Sequence, residues 1–258
     1  MSDFFDEIRK IKEEGKSAAV ATIIGTKGST PREVGAKMLI QEDGKIHGTI
    51  GGGCIEAEVW QEAMKIIKEA TPRTVHFDLT GKKAEDSGMI CGGVMDIYIE
   101  PIIPNPRVYI FGGGHVSLSV AKMSKMVGFE VVVLDDRPQF ANRERFSEAD
   151  EVIAEEFEFS LPKLKVNRSS YLVIVTRGHA YDQEVLEWAV KTEAGYLGMI
   201  GSRRKIQMVY ASLKEKGVPA KKLERVHAPI GLNIGALTPE EIAVSIVAEM
   251  IQERRKGK

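Results

Sequence analysis

VYIFGGGHVSLSV, residues 108–120, is an apolar run that stops at three glycines and resumes with the spacing of a helix. A short buried strand, a glycine turn and a helix in direct succession form the opening unit of a dinucleotide-binding fold. Gly112 and Gly114 take the first two glycine positions of that fingerprint, and Ser117 stands at the third. Glycine at the first position permits the tight turn. At the second it lets the backbone approach a pyrophosphate resting on the helix N-terminus. Serine at the third is still small but packs less closely. Asp135 lies 23 residues beyond Gly112, at the end of the next apolar run, where an acid can accept from ribose hydroxyls. His115, inside the loop, is placed either to contact a phosphate or simply to start the helix.

Outward from this loop the chain alternates strand and helix. VYIF (108–111), EVVVLDD (130–136), SYLVIVT (170–176) and GYLGMI (195–200) read as strands. Val116–Met126, Gln183–Val190 and a stretch from Ser202 to about Lys216 read as helices. Short β-rich runs separated by helices predict a parallel sheet covered on both faces. Thr238-Pro239-Glu240-Glu241 is a capping box with proline at the first helical position, followed by Ile242, Ala243, Ile246, Val247 and Met250 on one side of a closing helix.

Upstream, Pro101, Pro104 and Pro106 fall within six residues. Proline lacks an amide donor and fixes φ, so neither a helix nor a central strand is expected through this stretch, and a linker near residue 105 divides the chain. The first part is different in kind. Asp3–Glu14 is an amphipathic helix with Phe4, Ile8 and Ile11 on one stripe. SAAVATIIG (17–25), AKMLIQ (36–41), KIHGTI (45–50), TVHFDL (74–79) and VMDIYIE (94–100) read as strands, and Ile55, Val59, Ala63 and Ile66 mark a second helix. The expected organisation is α/β overall: an α+β domain over 1–100, with a mostly antiparallel sheet, followed over 107–258 by a Rossmann-like doubly wound parallel sheet.

The chain carries 36 basic and 37 acidic side chains for a net charge of −1, which leaves no electrostatic footprint for nucleic acid. No stretch approaches the ~20 apolar residues of a membrane span, and MSDFFDEIRK is acidic and helical rather than signal-like, so a cytoplasmic protein is expected. Two cysteines are too few for a disulfide framework. Cys54 follows the glycines of GTIGGGCIEAEV at a helix start, where the positive end of the helix favours thiolate, and Cys91 sits in ICGG. Buried inert cysteine is the commoner fate. Two thiols in glycine loops balance that reading with a functional one, and they are expected to share a neighbourhood at the cleft between domains.

Two more strand ends point toward the same edge of the sheet. TRGHAYD places Arg177, His179 and Asp182 after one strand, and MIGSRRK places Ser202, Arg203, Arg204 and Lys205 at a strand-to-helix turn. Ligands of open α/β sheets bind beyond the carboxyl ends of the strands. A serine cap with a guanidinium beside it suits a phosphate, though each of these basic residues equally fits a solvated helix start. Arg137, just past Asp135, obscures any choice between NAD and NADP.

Taken together, GSTPREVGAKMLI (28–40), GTIGGGCIEAEV, ICGG, FGGGHVS with LDDRPQFANRERF, TRGHAYD, MIGSRRK and APIGLNIGALTPEEIAVSIVAE resemble the XdhC/CoxI family, accessory factors for xanthine dehydrogenase and related molybdenum hydroxylases. The resemblance covers nearly the whole chain. It implies a protein that binds the molybdenum cofactor, in its molybdopterin or a dinucleotide form, protects it while a cysteine desulfurase installs its terminal sulfur, and delivers it to an apo-molybdenum hydroxylase. A homodimer is expected. On this reading Gly112, Gly114, His115, Ser117, Asp135, Arg137, Arg177, His179, Ser202 and Arg203 contact the cofactor, while Cys54 and Cys91 contact its metal. No triad, metal-ligand set or paired carboxylates can be assembled, so no turnover is expected. The alternatives are an NAD(P)-dependent oxidoreductase, with Asp135 on the ribose and His115 or His179 as acid or base, and a nucleotide-sensing module without chemistry.

Overall fold

The computed structural model describes residues 4–78 and 92–256, and the chain separates into two compact units, up to Pro104 and from Asn105 to Lys256. In the first unit the elements are α1 (Phe4–Glu13), β1 (Ala18–Lys27), β2 (Lys37–Gln41), β3 (Ile46–Gly48), α2 (Gly53–Glu69), β4 (Arg73–Asp78) and β5 (Val94–Ile102). The strands form one sheet in the order β3-β2-β1-β5-β4, every neighbouring pair antiparallel. Alternate side chains leave opposite faces. Ala19, Ala21, Ile23, Met38, Ile40, Ile97 and Ile99 pack with Ile55, Val59, Ala63 and Ile66 of α2, and Ala18, Val20 and Leu39 pack with Ile11 of α1.

β5 runs further than the prolines suggest. Pro101 lies within it, opposite Ala19 of β1. The pairing of β5 with β4 ends at Ile99, so the strand has only one neighbour at Pro101, the edge position at which a sheet tolerates proline.

The second unit contains β6 (Arg107–Phe111), α3 (His115–Met126), β7 (Glu130–Asp135), β8 (Glu151–Ala154), α4 (Phe157–Ser160), β9 (Ser170–Ile174), α5 (His179–Ala189), β10 (Tyr196–Met199), α6 (Arg203–Glu215), α7 (Ala220–Glu224) and α8 (Pro239–Arg255). Its sheet has the order β10-β9-β6-β7-β8 and is parallel throughout. Both faces are buried, as a parallel sheet requires. Tyr109, Phe111, Val132, Leu134, Leu172 and Ile174 face a core shared with α4, α5 and α6, while Val108, Ile110, Val131, Val133 and Val173 face one shared with α3 and α8. The Thr238 capping box starts α8 as the sequence predicts. Three of the short elements, β8, α4 and α7, have no counterpart in the sequence pattern. β8 is an edge strand of four residues, none fully buried, so it lacks an apolar run.

Candidate functional site

β6 lies at the centre of the parallel sheet. From it the chain winds through β7 and β8 on one side, then returns to β9 and β10 on the other. The loops leaving β6 and β9 therefore part from one another, and the crevice between them is where open α/β sheets take ligands. The three glycines after β6 serve three different ends. At Gly112, φ is +114° and a Cβ would stand 2.5 Å from the Val175 carbonyl oxygen at the end of β9. At Gly113 it would stand 2.6 Å from the carbonyl oxygen of Phe140. At Gly114 nothing lies within 4 Å.

Gly114 is the N-cap of α3, and no side chain caps that helix. Gly178 is the N-cap of α5 after β9, again with no side-chain cap and nothing within 4 Å of an added Cβ. Each helix start leaves backbone N–H groups without an intrahelical acceptor, with the positive end of the dipole behind them. Two such ends follow neighbouring strands, each with room where a Cβ at its cap glycine would stand. The start of α6 is served differently, since Ser202 Oγ accepts from the Lys205 N–H at 3.3 Å.

Of the residues singled out in the sequence, His115, Arg177, His179, Ser202 and Arg203 are exposed at this edge, whereas Ser117 is buried inside the first turn of α3. Asp135 is 2% exposed. Its Oδ2 accepts from the Gly113 N–H at 2.7 Å and from Arg137 Nη2 at 2.9 Å. Its Oδ1 accepts from the Arg137 N–H at 3.0 Å and from Arg137 Nε at 2.8 Å. Burial alone would raise the carboxyl, but these bonds outweigh it and hold the group below its usual value. The guanidinium of Arg137 lies flat on Phe140, 3.7 Å from the ring centre. Arg145 Nη2 donates to the Gly113 carbonyl at 3.2 Å.

Asp136, also nearly buried, accepts from Arg177 Nη2 at 2.6 Å, and Arg177 rests over the ring of Tyr181. Asp182, in the first turn of α5, is fully buried. It accepts from Thr176 Oγ1 at 2.7 Å and forms an ion pair with Lys205 of α6. Beside that pair, His179, Gln183, Ser202, Arg204, Lys205 and Met208 line a groove of about 500 Å³ between α5 and α6. The sequence pattern does not reveal the role of Gly178 or the partnerships of Asp136 and Asp182. A glycine directly after strand-Thr-Arg is the one signal that points to the uncapped start of α5.

A second network anchors the segment before α8. Residues 227–230 extend the sheet edge, with the His227 N–H donating to the Leu197 carbonyl at 2.8 Å. Glu249 of α8 accepts from Tyr196 Oη at 2.5 Å and from the Gly231 N–H at 2.9 Å, and pairs with His227 Nδ1 at 3.1 Å. The hydrogen bond to Glu249 is the main cause that raises the His227 pKa. Burial pushes the Glu249 carboxyl up, but its bonds to His227, Tyr196 and Gly231 bring it below the usual range.

In the first unit, three glycine-containing loops meet at one end of the sheet. A Cβ on Gly51 would stand 2.5 Å from the Pro31 ring, and one on Gly93 2.3 Å from the Ser29 carbonyl oxygen. The loop before Cys54 and the residues just after Cys91 thus pack on the same turn, although Cys91 itself lies outside the described residues. Cys54 is half-buried in the first turn of α2. Glu56, one half-turn on, fastens the loop. Burial would raise its carboxyl, but bonds from Thr49 Oγ1 at 2.6 Å and from the backbone of Ile50, Gly52 and Gly51 lower it. Among the described residues no group of three or more His, Cys, Asp or Glu side chains could hold a metal ion, and no helix is long and apolar enough to cross a membrane.

Residues 108–250 match the family model of the XdhC Rossmann domain, and residues 11–78 that of the XdhC and CoxI family. Over 99% of its length the chain is 36% identical to the uncharacterized protein YqeB of Escherichia coli, spanning 47% of that protein. It is 24% identical, over 99% of both chains, to a probable xanthine dehydrogenase subunit of Bacillus subtilis. It is 20% identical to the molybdenum cofactor insertion chaperone PaoD of E. coli, over 93% of this chain and 84% of that one. A crystal structure described as a xanthine dehydrogenase from Bacillus halodurans superposes with a TM-score of 0.53 at 26% identity, covering 98% of this chain and 96% of that one.

Proposed function

The chain belongs to the XdhC/CoxI family, and on that premise we propose that it is a maturation factor for a molybdenum hydroxylase of the xanthine dehydrogenase kind. It binds the molybdenum cofactor as cargo, shields it while a cysteine desulfurase supplies the terminal sulfur, and releases it to the apo-enzyme. The observation that carries this reading is the pair of uncapped, glycine-started helices at Gly114 and Gly178, open on adjacent strands. The cofactor's phosphate is a dianionic oxyanion, and two sets of uncapped helix-start amides with dipoles behind them suit it. The exposed Arg203 and His179 add donors at the rim. Asp135, Asp136 and Asp182 each hold a cation of the protein.

The thiols of Cys54 and Cys91 supply soft donors for the metal or its sulfido group. Reversible binding without turnover is the corollary.

Equilibrium binding of the cofactor to the purified chain, with reconstitution of an apo-molybdenum hydroxylase in parallel, tests this. Wild type should bind and should raise the activity of the client. A chain that does neither, yet oxidises NADH with a carbonyl substrate, makes the oxidoreductase reading the correct one.

A further inference from the structure

We infer that the crevice excludes nucleoside diols, because Arg137 saturates the one acceptor that a dinucleotide's ribose would need, and that the cargo is therefore the terminal-phosphate form of the pterin rather than a nucleotide-extended one. This deepens the reading above and rests on it for the presence of a phosphate-bearing ligand.

An ionised carboxylate offers about four lone-pair sites on its two oxygens. On Asp135 all four are taken: Oδ2 by the Gly113 N–H and Arg137 Nη2, Oδ1 by the Arg137 N–H and Nε, at 2.7 to 3.0 Å. Its side chain is 3% exposed, so no hydroxyl reaches it past the guanidinium. That guanidinium is fixed on two sides, by the acid and by the ring of Phe140 beneath it. The next acid is held as well, since Asp136 Oδ2 is engaged by Arg177 and receives Tyr181 Oη at 3.4 Å, while its Oδ1 lies 3.9 Å from Arg137 Nε. Both acids on the side of the crevice toward β7 are thus paired with the protein's own arginines. The donor half, at Gly114 and Gly178, is open. A crevice whose helix-start donors are open while both of its acids are held by arginines favours an oxyanion over a diol, which must donate.

Calorimetric titration of the full chain with three probes tests this: the pterin cofactor with its terminal phosphate, its cytidine-dinucleotide form, and ADP-ribose. Wild type should bind the first about tenfold or more tighter than the second, the equivalent of one charged hydrogen bond left unmade, and should bind ADP-ribose with no measurable heat. Arg137→Ala should bind ADP-ribose at least about tenfold better than wild type. Phe140→Ala keeps the ion pair but removes the platform under it, so it should shift ADP-ribose in the same direction by less. It serves as the test if Arg137→Ala does not fold. Equal affinity of wild type for both pterin forms, or no improvement for ADP-ribose in either variant, overturns the inference. If wild type binds no pterin but Arg137→Ala acquires ADP-ribose, the proposed function fails and the closure of the diol seat stands.

Discussion

Gly114→Asp separates the ligand's seat from the fold that carries it. Gly114 caps α3 with φ −74°, and nothing lies within 4 Å of where its Cβ would stand, so an aspartate enters without strain. Its carboxylate would accept from an N–H in the first turn and supply the cap that α3 lacks. Aspartate in place of glycine at an N-cap is worth a few tenths of a kcal/mol, and an acid at the positive end of a helix adds ~0.3–1 kcal/mol. A net stabilisation of up to about 1 kcal/mol raises the Tm of a unit of this size by about 2–4 °C. Toward a phosphate the same carboxylate acts in the opposite sense. Two unit charges about 5 Å apart repel by about 3 kcal/mol at an effective dielectric of ~20, and the amides it occupies are withdrawn from the ligand. Cofactor affinity should therefore fall by about 100-fold or more while the protein melts no lower. Titration calorimetry and scanning calorimetry on the same samples read both quantities. The reasoning is refuted by a variant that binds as wild type does, or by one that loses binding only because it has lost stability.

The neighbouring glycines should behave in the reverse way: Gly112→Ala and Gly113→Ala force a Cβ against backbone oxygens and should each cost about 1–3 kcal/mol in chemical denaturation, whereas Gly114→Ala meets no atom and should cost only the poorer N-cap, about 0.5–1 kcal/mol. Glu249→Ala strands the Tyr196 hydroxyl, the Gly231 N–H and His227 together, and a loss of about 2–4 kcal/mol is expected by the same assay. The His227–Glu249 pair also sets a pH window. The contribution of the raised His227 is complete below its ordinary value of 6.5 and is lost as pH rises through the folded pKa, while that of the lowered Glu249 is complete above 4.5 and is lost as pH falls through its folded pKa. The Tm gap between wild type and His227→Gln should accordingly be wider near pH ~5.5 than near ~8.5, and equal gaps would contradict the assignment. Cys54→Ser should leave phosphate-dependent binding of the cofactor intact but shorten retention of its sulfurated form, measured by the sulfur-dependent activity transferred to a client after a timed delay.

The architecture is readable in the sequence wherever burial imposes a period. The runs 108–111, 131–134 and 171–174 are apolar throughout because both faces of a parallel sheet are covered, and Thr238-Pro-Glu-Glu announces its helix through side chains that do the capping. The apolar pattern starts α5 at Gln183, four residues after its true beginning at His179. Its cap is a glycine with no side-chain acceptor, and that open cap, which hides the boundary, is also what the proposed site relies on. Convergence of the loops follows from the rule for open sheets. The state of Asp135 does not, because sequence spacing puts an acid where ribose is bound but cannot show that Arg137 turns back upon it, a matter of loop backbone rather than composition. The pairing of Asp182 with Lys205 is hidden for a similar reason, since its partners come from another helix and a strand end.

The position of β6 between β7 and β9 bears on how the molecule is made. Arg107 faces Glu130 on one side, 23 residues on, and Ser170 on the other, 63 residues on. At translation speeds of about 5–20 residues per second, the second edge of the central strand waits roughly 3–13 s for its partner to be synthesised. During that interval an apolar strand with unpaired amides is offered to any chaperone or neighbouring nascent chain. The crevice proposed to take the ligand, whose far wall is the loop after β9, does not yet exist. A ribosome stalled between residues 135 and 170 would therefore hold a half-sheet that binds no cofactor and is at its most prone to mispair.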